Sequence, residues 1–82
     1  MVRVSFHPSF QKQFAKLGDA LLIEKARKQI KKIVNDPEIG KPMMHSRKGT
    51  REVKIPPFRL SYAYSTADEL IEFLEIYHKD EQ

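Results

Sequence analysis

Hydrophobic and polar positions recur along the chain at two different periods, and each change of period marks an element. Val2, Val4 and Phe6 alternate with Arg3 and Ser5, which is the period of a strand. Pro8 suits the first position of a helix, where its missing N–H costs nothing. Phe10, Phe14 and Leu17 follow at helical spacing, and Gly18 supplies a C-terminal stop. Asp19 is placed to cap a second helix. Its apolar stripe is Leu22, Ala26, Ile30 and Ile33, flanked by Ile23 and Val34, with Lys25, Lys28, Lys31 and Lys32 around the back. Asn35-Asp36-Pro37 ends it. The tight connection predicts an antiparallel helical hairpin.

Residues 38–49 read as a connector broken by Gly40 and Pro42, with Met43-Met44 packing as a short strand or anchoring the loop. Strands are predicted over 50–55, 58–65 and 69–78, the last two joined by a turn at 65–68. Strand parity puts Val53 and Ile55 on one face and Glu52 and Lys54 on the other. It likewise puts Phe58, Leu60, Tyr62 and Tyr64 opposite Arg59, Ser61 and Ala63. If the apolar faces share a core, Glu52, Lys54 and Arg59 project together from the far side. The last strand is apolar on both faces, as a central strand is, with Leu70, Leu74 and Ile76 on one side and Ile71, Phe73 and Tyr77 on the other. The order β-α-α-β-β-β predicts an α+β fold: one domain over 1–82, with a small antiparallel-rich sheet and a helical hairpin on one face.

Composition narrows the function. An 82-residue chain without cysteine has no disulfide and no thiolate site. It has no apolar run of membrane-spanning length and no signal-peptide pattern at Met1, so a cytoplasmic location is expected. The net charge of +4 is unevenly spread. Lys41, Arg47, Lys48, Arg51, Lys54 and Arg59 stand against Glu52 alone, whereas Asp68, Glu69, Glu72, Glu75, Asp80 and Glu81 stand against Lys79. A basic middle points to a polyanionic partner, either nucleic acid or an acidic protein segment. His7, His45 and His78 have no metal-ligand spacing, Gly40-Lys41-Pro42 is not a phosphate-binding P-loop, and no Gly-x-Ser-x-Gly nucleophile is present. No metal and no cofactor are expected. What remains is a set of cations, histidines and glutamates on a sheet, which suits phosphodiester chemistry without metal.

Five local patterns in this order resemble the RelE/ParE superfamily of toxin–antitoxin toxins over essentially the whole chain. They are Asn35-Asp36-Pro37, Gly40-Lys41-Pro42, the run Arg51-Glu52-Val53-Lys54-Ile55, the strand Phe58-Arg59-Leu60-Ser61-Tyr62, and the closing Ile76-Tyr77-His78-Lys79. The resemblance implies a cognate antitoxin as partner and, for RelE-like members, ribosome-dependent cleavage of A-site mRNA by 2′-OH attack. Carried over by position, Arg59 would clamp the scissile phosphate and Lys54 would stabilise the transition state. His78 or Lys79 would assist the leaving oxygen, and Lys41, Arg47, Lys48 and Arg51 would contact RNA or ribosome. His78 and Lys79 are neighbours, so on a regular strand only one of them can join Lys54 and Arg59. The chain departs from the family pattern at Glu52, where RelE has a basic residue. It departs again at Met43, where YoeB-like members have a glutamate, and it ends at Gln82 without the C-terminal tyrosine that several members of the superfamily carry. Two alternatives stay open: a non-enzymatic ParE-like inhibitor of DNA gyrase, and a weak toxin-like protein acting with its antitoxin as a DNA-binding co-repressor.

Overall fold

The computed structural model describes residues 2–43 and 49–81, so Met44, His45, Arg47 and Lys48 lie outside the described residues. The elements are β1 (Arg3–Phe6), α1 (Pro8–Ala15), α2 (Ala20–Asn35), β2 (Lys41–Pro42), β3 (Thr50–Ile55), β4 (Phe58–Ser65) and β5 (Leu70–His78), followed by a 3-10 turn at Lys79–Glu81. Among the described residues the strands form one five-stranded sheet in the order β1-β5-β4-β3-β2. β1 runs parallel to β5, and the other pairs are antiparallel. The predicted order β-α-α-β-β-β is therefore the observed one, with a two-residue strand, β2, added at the far edge.

The helices form where the caps and stripes require. Asp19 is extended and its carboxylate accepts from the backbone N–H groups of Leu21 and Leu22, satisfying the free donors at the start of α2. Gly18 at φ +66° makes the turn between the helices, a conformation that favours glycine. Phe10 of α1 and Leu22, Ala26 and Ile33 of α2 are buried against Ile55, Leu60, Tyr62, Ile71, Phe73 and Ile76 of the sheet. Phe73 is the centre of this core, with the rings of Phe6, Phe10 and Tyr62 at 5.2, 5.7 and 6.0 Å. Truncating such a residue to alanine costs about 3–5 kcal/mol.

β5 departs from simple alternation. Ser61 pairs with Glu75 but Tyr62 pairs with Phe73, so Leu74 has no partner across the ladder. This bulge turns Ile71, Phe73 and Ile76 all into the core, and sends Tyr77 to the opposite face. The parity expected for β5, with Ile76 and Phe73 on different faces, is corrected accordingly. β1 ends at Phe6 opposite Phe73, and past that point the edge of β5 meets α1. There Gln13 Oε1 accepts the N–H of Ile76 at 2.9 Å, closing a backbone donor that no strand reaches.

The connector is held down by a clasp. Tyr62 reaches from the helix side of β4, donating its hydroxyl to the Pro37 carbonyl at 2.7 Å and accepting from the Gly40 N–H at 2.9 Å. Gly40 is required by closeness: a Cβ there would lie 2.6 Å from the Tyr62 hydroxyl oxygen. Burial pushes the Tyr62 phenol above its usual value of 10.0, aided by Asp36, while the Gly40 hydrogen bond and Arg51 act the other way. The folded state thus resists ionisation that the unfolded chain accepts. Stability is complete below about pH 10 and is lost as pH rises through the folded value. Replacing Tyr62 with Phe should cost about 1–3 kcal/mol at neutral pH, by urea unfolding. The gap to wild type should narrow above about pH 10, because only wild type carries this penalty.

Candidate functional site

β3 and β4 build the site because their alternation is regular. Thr50, Glu52 and Lys54 share one face of β3, and Lys54 is paired with Arg59 and Glu52 with Ser61 in β4. β5 continues both rows, with Arg59 opposite Tyr77 and Ser61 opposite Glu75. β2 extends one of them, with Lys41 opposite Glu52. The face turned away from the helices therefore carries Lys41, Glu52, Ser61 and Glu75 in one row and Lys54, Arg59 and Tyr77 in the next.

Glu52 is the centre of this face. Its Oε1 accepts from Arg59 Nη1 at 3.3 Å, and its Oε2 accepts the Tyr77 hydroxyl at 2.7 Å. The carboxylate side chain is 15 % exposed and the guanidinium side chain 28 %. Tyr77 stands on β5 and Glu52 on β3, so the ring spans β4 to make its hydrogen bond, consistent with the burial of both Tyr77 and Ser61. An ion pair this close to solvent contributes on the order of 1 kcal/mol to stability, so its consequence is orientation more than cohesion.

The structure brings together Lys54 and Arg59, with Lys41 across the sheet from Glu52. Lys79 lies at the same end as Arg59, its N–H bonded to the Pro57 carbonyl at 3.0 Å. It does not bring in His78. That ring meets Phe58 edge-on at 5.4 Å on the helix side, and its Nδ1 accepts the Asp80 N–H at 3.2 Å. Arg51 is also on the helix side, paired with Tyr62, and its Nη1 donates to the carbonyls of Glu38 and Gly40 at 3.0 and 2.8 Å. That engagement gives Arg51 a structural role on the connector. Arg47 and Lys48 lie outside the described residues. Sequence reasoning missed Tyr77 as a site residue, since a strand apolar on both faces does not single out one of its residues; the bulge carries no local signal beyond that two-sided pattern. Among the described residues no group of three or more His, Cys, Asp or Glu side chains is placed to hold a metal ion.

On the helix side, an open groove of about 550 Å³ runs between β1 and the two helices, floored by Phe6, Phe10, Phe14 and Ile30 with Arg27 and Lys31 in its walls. Phe6 is 41 % exposed there.

The family model described as "ParE toxin of type II toxin-antitoxin system, parDE" matches residues 4–82. The chain belongs to this toxin family. No curated protein shows significant sequence similarity to it. Solved structures share the fold of this ParE-family chain at low identity. A chain of the intact Escherichia coli RelBE toxin–antitoxin complex is 16% identical with TM-score 0.81, covering 95% of this chain and 96% of that one. A chain of the RelBE2 complex from Mycobacterium tuberculosis is 20% identical with TM-score 0.80, covering 95% and 98%. The YoeB/ParE toxin from Agrobacterium tumefaciens is 18% identical with TM-score 0.83, covering 94% and 98%.

Arg51 should separate cleanly from Lys54 in stability measurements. Arg51→Ala should lower unfolding free energy by about 1–3 kcal/mol, since it strands two connector carbonyls. Lys54→Ala, exposed on its strand, should stay within about 0.5 kcal/mol of wild type.

Proposed function

We propose that this chain acts in the cytoplasm on the translating ribosome, cutting mRNA in the A site without a metal. In the reaction the ribose 2′-oxygen forms a bond to the adjacent phosphorus and loses its proton. The bond from phosphorus to the 5′-oxygen breaks, and that oxygen takes a proton. The products are a 2′,3′-cyclic phosphate and a 5′-OH. The observation that carries this reading is the pairing of Lys54 with Arg59 on the sheet face turned away from the helices. Two cations side by side on rigid strands suit the extra negative charge of a pentacoordinate phosphate. Lys79, just past β5 with its backbone N–H on the Pro57 carbonyl, is the basic group assigned to the leaving 5′-oxygen. Lys41 extends the cationic face towards the RNA backbone, with Arg47 and Lys48 assigned the same task from sequence. His78 faces Phe58 and has no part in this assignment.

The partner that restrains the activity is an antitoxin protein, as in the RelBE complexes that share the fold. The apolar groove walled by Arg27 and Lys31 supports this, since it suits an amphipathic segment with acidic flanks.

A second reading is favoured by two observations: Arg59 is already engaged by Glu52, and the matching family model is that of ParE. On that reading the chain inhibits DNA gyrase without chemistry, or serves with its antitoxin as a DNA-binding co-repressor. Primer extension on mRNA from stalled 70S complexes decides between them. The wild type should give A-site breaks, and Arg59→Ala and Lys54→Ala should each reduce them by about a hundredfold or more. Intact mRNA beside inhibited gyrase supercoiling would establish the second reading instead.

A further inference from the structure

Glu52 is out of place on a phosphate-binding face unless it does something there. A carboxylate among Lys41, Lys54 and Arg59 repels the polyanion that those cations attract. Yet it is not a loose surface glutamate. Both its oxygens are taken by donors from different strands, Arg59 Nη1 from β4 and the Tyr77 hydroxyl from β5. Tyr77 is buried, so its hydroxyl is a fixed point, and through Glu52 it fixes the guanidinium as well.

The geometry also leaves Arg59 usable. Among the described residues its hydrogen-bond partner is Glu52, through Nη1 alone, which leaves the other N–H groups of the planar fork uncommitted, on a residue paired across the ladder with Lys54. A long arginine on an open sheet would otherwise sample many rotamers, and ordering it at the moment of reaction would slow the chemistry.

We propose that Glu52 is a positioning residue, a clamp that, braced by Tyr77, presents the free N–H groups of Arg59 beside Lys54 to a single phosphate of the RNA. The proposal rests on the cleavage reading above and deepens it. The clamp weakens polyanion binding through its charge and speeds chemistry through orientation, and these opposite signs make it testable.

Steady-state cleavage of programmed ribosomes by wild type, Glu52→Gln and Tyr77→Phe, each checked for folding by circular dichroism, separates the two effects. In Glu52→Gln, KM should fall because a negative charge has left the face, while kcat should drop by about tenfold to a hundredfold. Tyr77→Phe removes the brace and no charge, so kcat should drop with KM unchanged. A kcat at or above wild type in Glu52→Gln would show that the pair merely masks Arg59 and would overturn the clamp. A second measurement does not need turnover. In nitrogen-edited proton NMR, the Arg59 side-chain N–H signals of wild type should be sharp and should shift with a 2′-deoxy dinucleotide monophosphate. In Glu52→Gln and Tyr77→Phe they should broaden. If wild-type protein leaves ribosomal mRNA uncut but shows these signals, the cleavage reading fails and the phosphate clamp stands. Arg59 signals unchanged in both variants would sink the clamp whatever the cleavage result.

Discussion

The unpaired Leu74 in β5 is the constraint on which the site depends. β5 must bury Ile71, Phe73 and Ile76 under the helices, and strict alternation cannot do that, since Phe73 and Ile76 are of opposite parity. Were Leu74 paired in regular alternation, Glu75 and Tyr77 would follow Phe73 into the core, placing a carboxylate among aromatic rings at a cost of several kcal/mol. The bulge avoids this by resetting parity once, between Phe73 and Glu75. One local irregularity therefore does two things: it completes the core below the sheet and delivers Tyr77 above it, within reach of Glu52. It also sends His78 back to the helix side, against Phe58.

Much of this architecture could be read from residue order, and the parts that could not share one physical cause. The helices announce themselves through Asp19, Gly18 and their apolar stripes, because caps and periodicity are local properties. The two faces of β3 and β4 are legible for the same reason, and with them the projection of Glu52, Lys54 and Arg59 from one side. β5 is different. Its residues are apolar on both faces, so either register satisfies hydrophobicity, and the choice is made by what β4 and α1 offer in space. Strand β2 is equally opaque: two residues are too few for a pattern, and it is held in the sheet by Arg51 and Tyr62 acting on the connector. Arg51 itself shows the limit of charge as a guide, since a cation in a basic stretch turned out to bond backbone carbonyls on the helix side.

The sheet thus divides the molecule into two surfaces with different chemistry. Below it lie the helices, the aromatic core and the groove beside Phe6; above it lie Lys41, Lys54, Arg59 and the Glu52–Tyr77 pair. A partner helix seated in the groove would leave the upper face open. Covering both surfaces would require a segment that passes around an edge of the sheet, and an extended one would meet the exposed edge of β1 on its way.

Membership in the toxin family fixes the fold and leaves the target to the upper face, because fold and chemistry are separable. What distinguishes this face is a carboxylate where related patterns place a cation. A lone acid there would only weaken anion binding, and selection for a nucleic-acid-binding surface would have little use for it. An acid tied at both oxygens is another matter. It converts a flexible arginine into an oriented one, and orientation has value only where a ligand must be met in a particular geometry. A surface that needed no more than attraction, for a duplex or an acidic protein, would do better with Glu52 replaced by any neutral residue. The Glu52–Tyr77 brace is therefore itself an argument for a site that recognises one phosphate at a time.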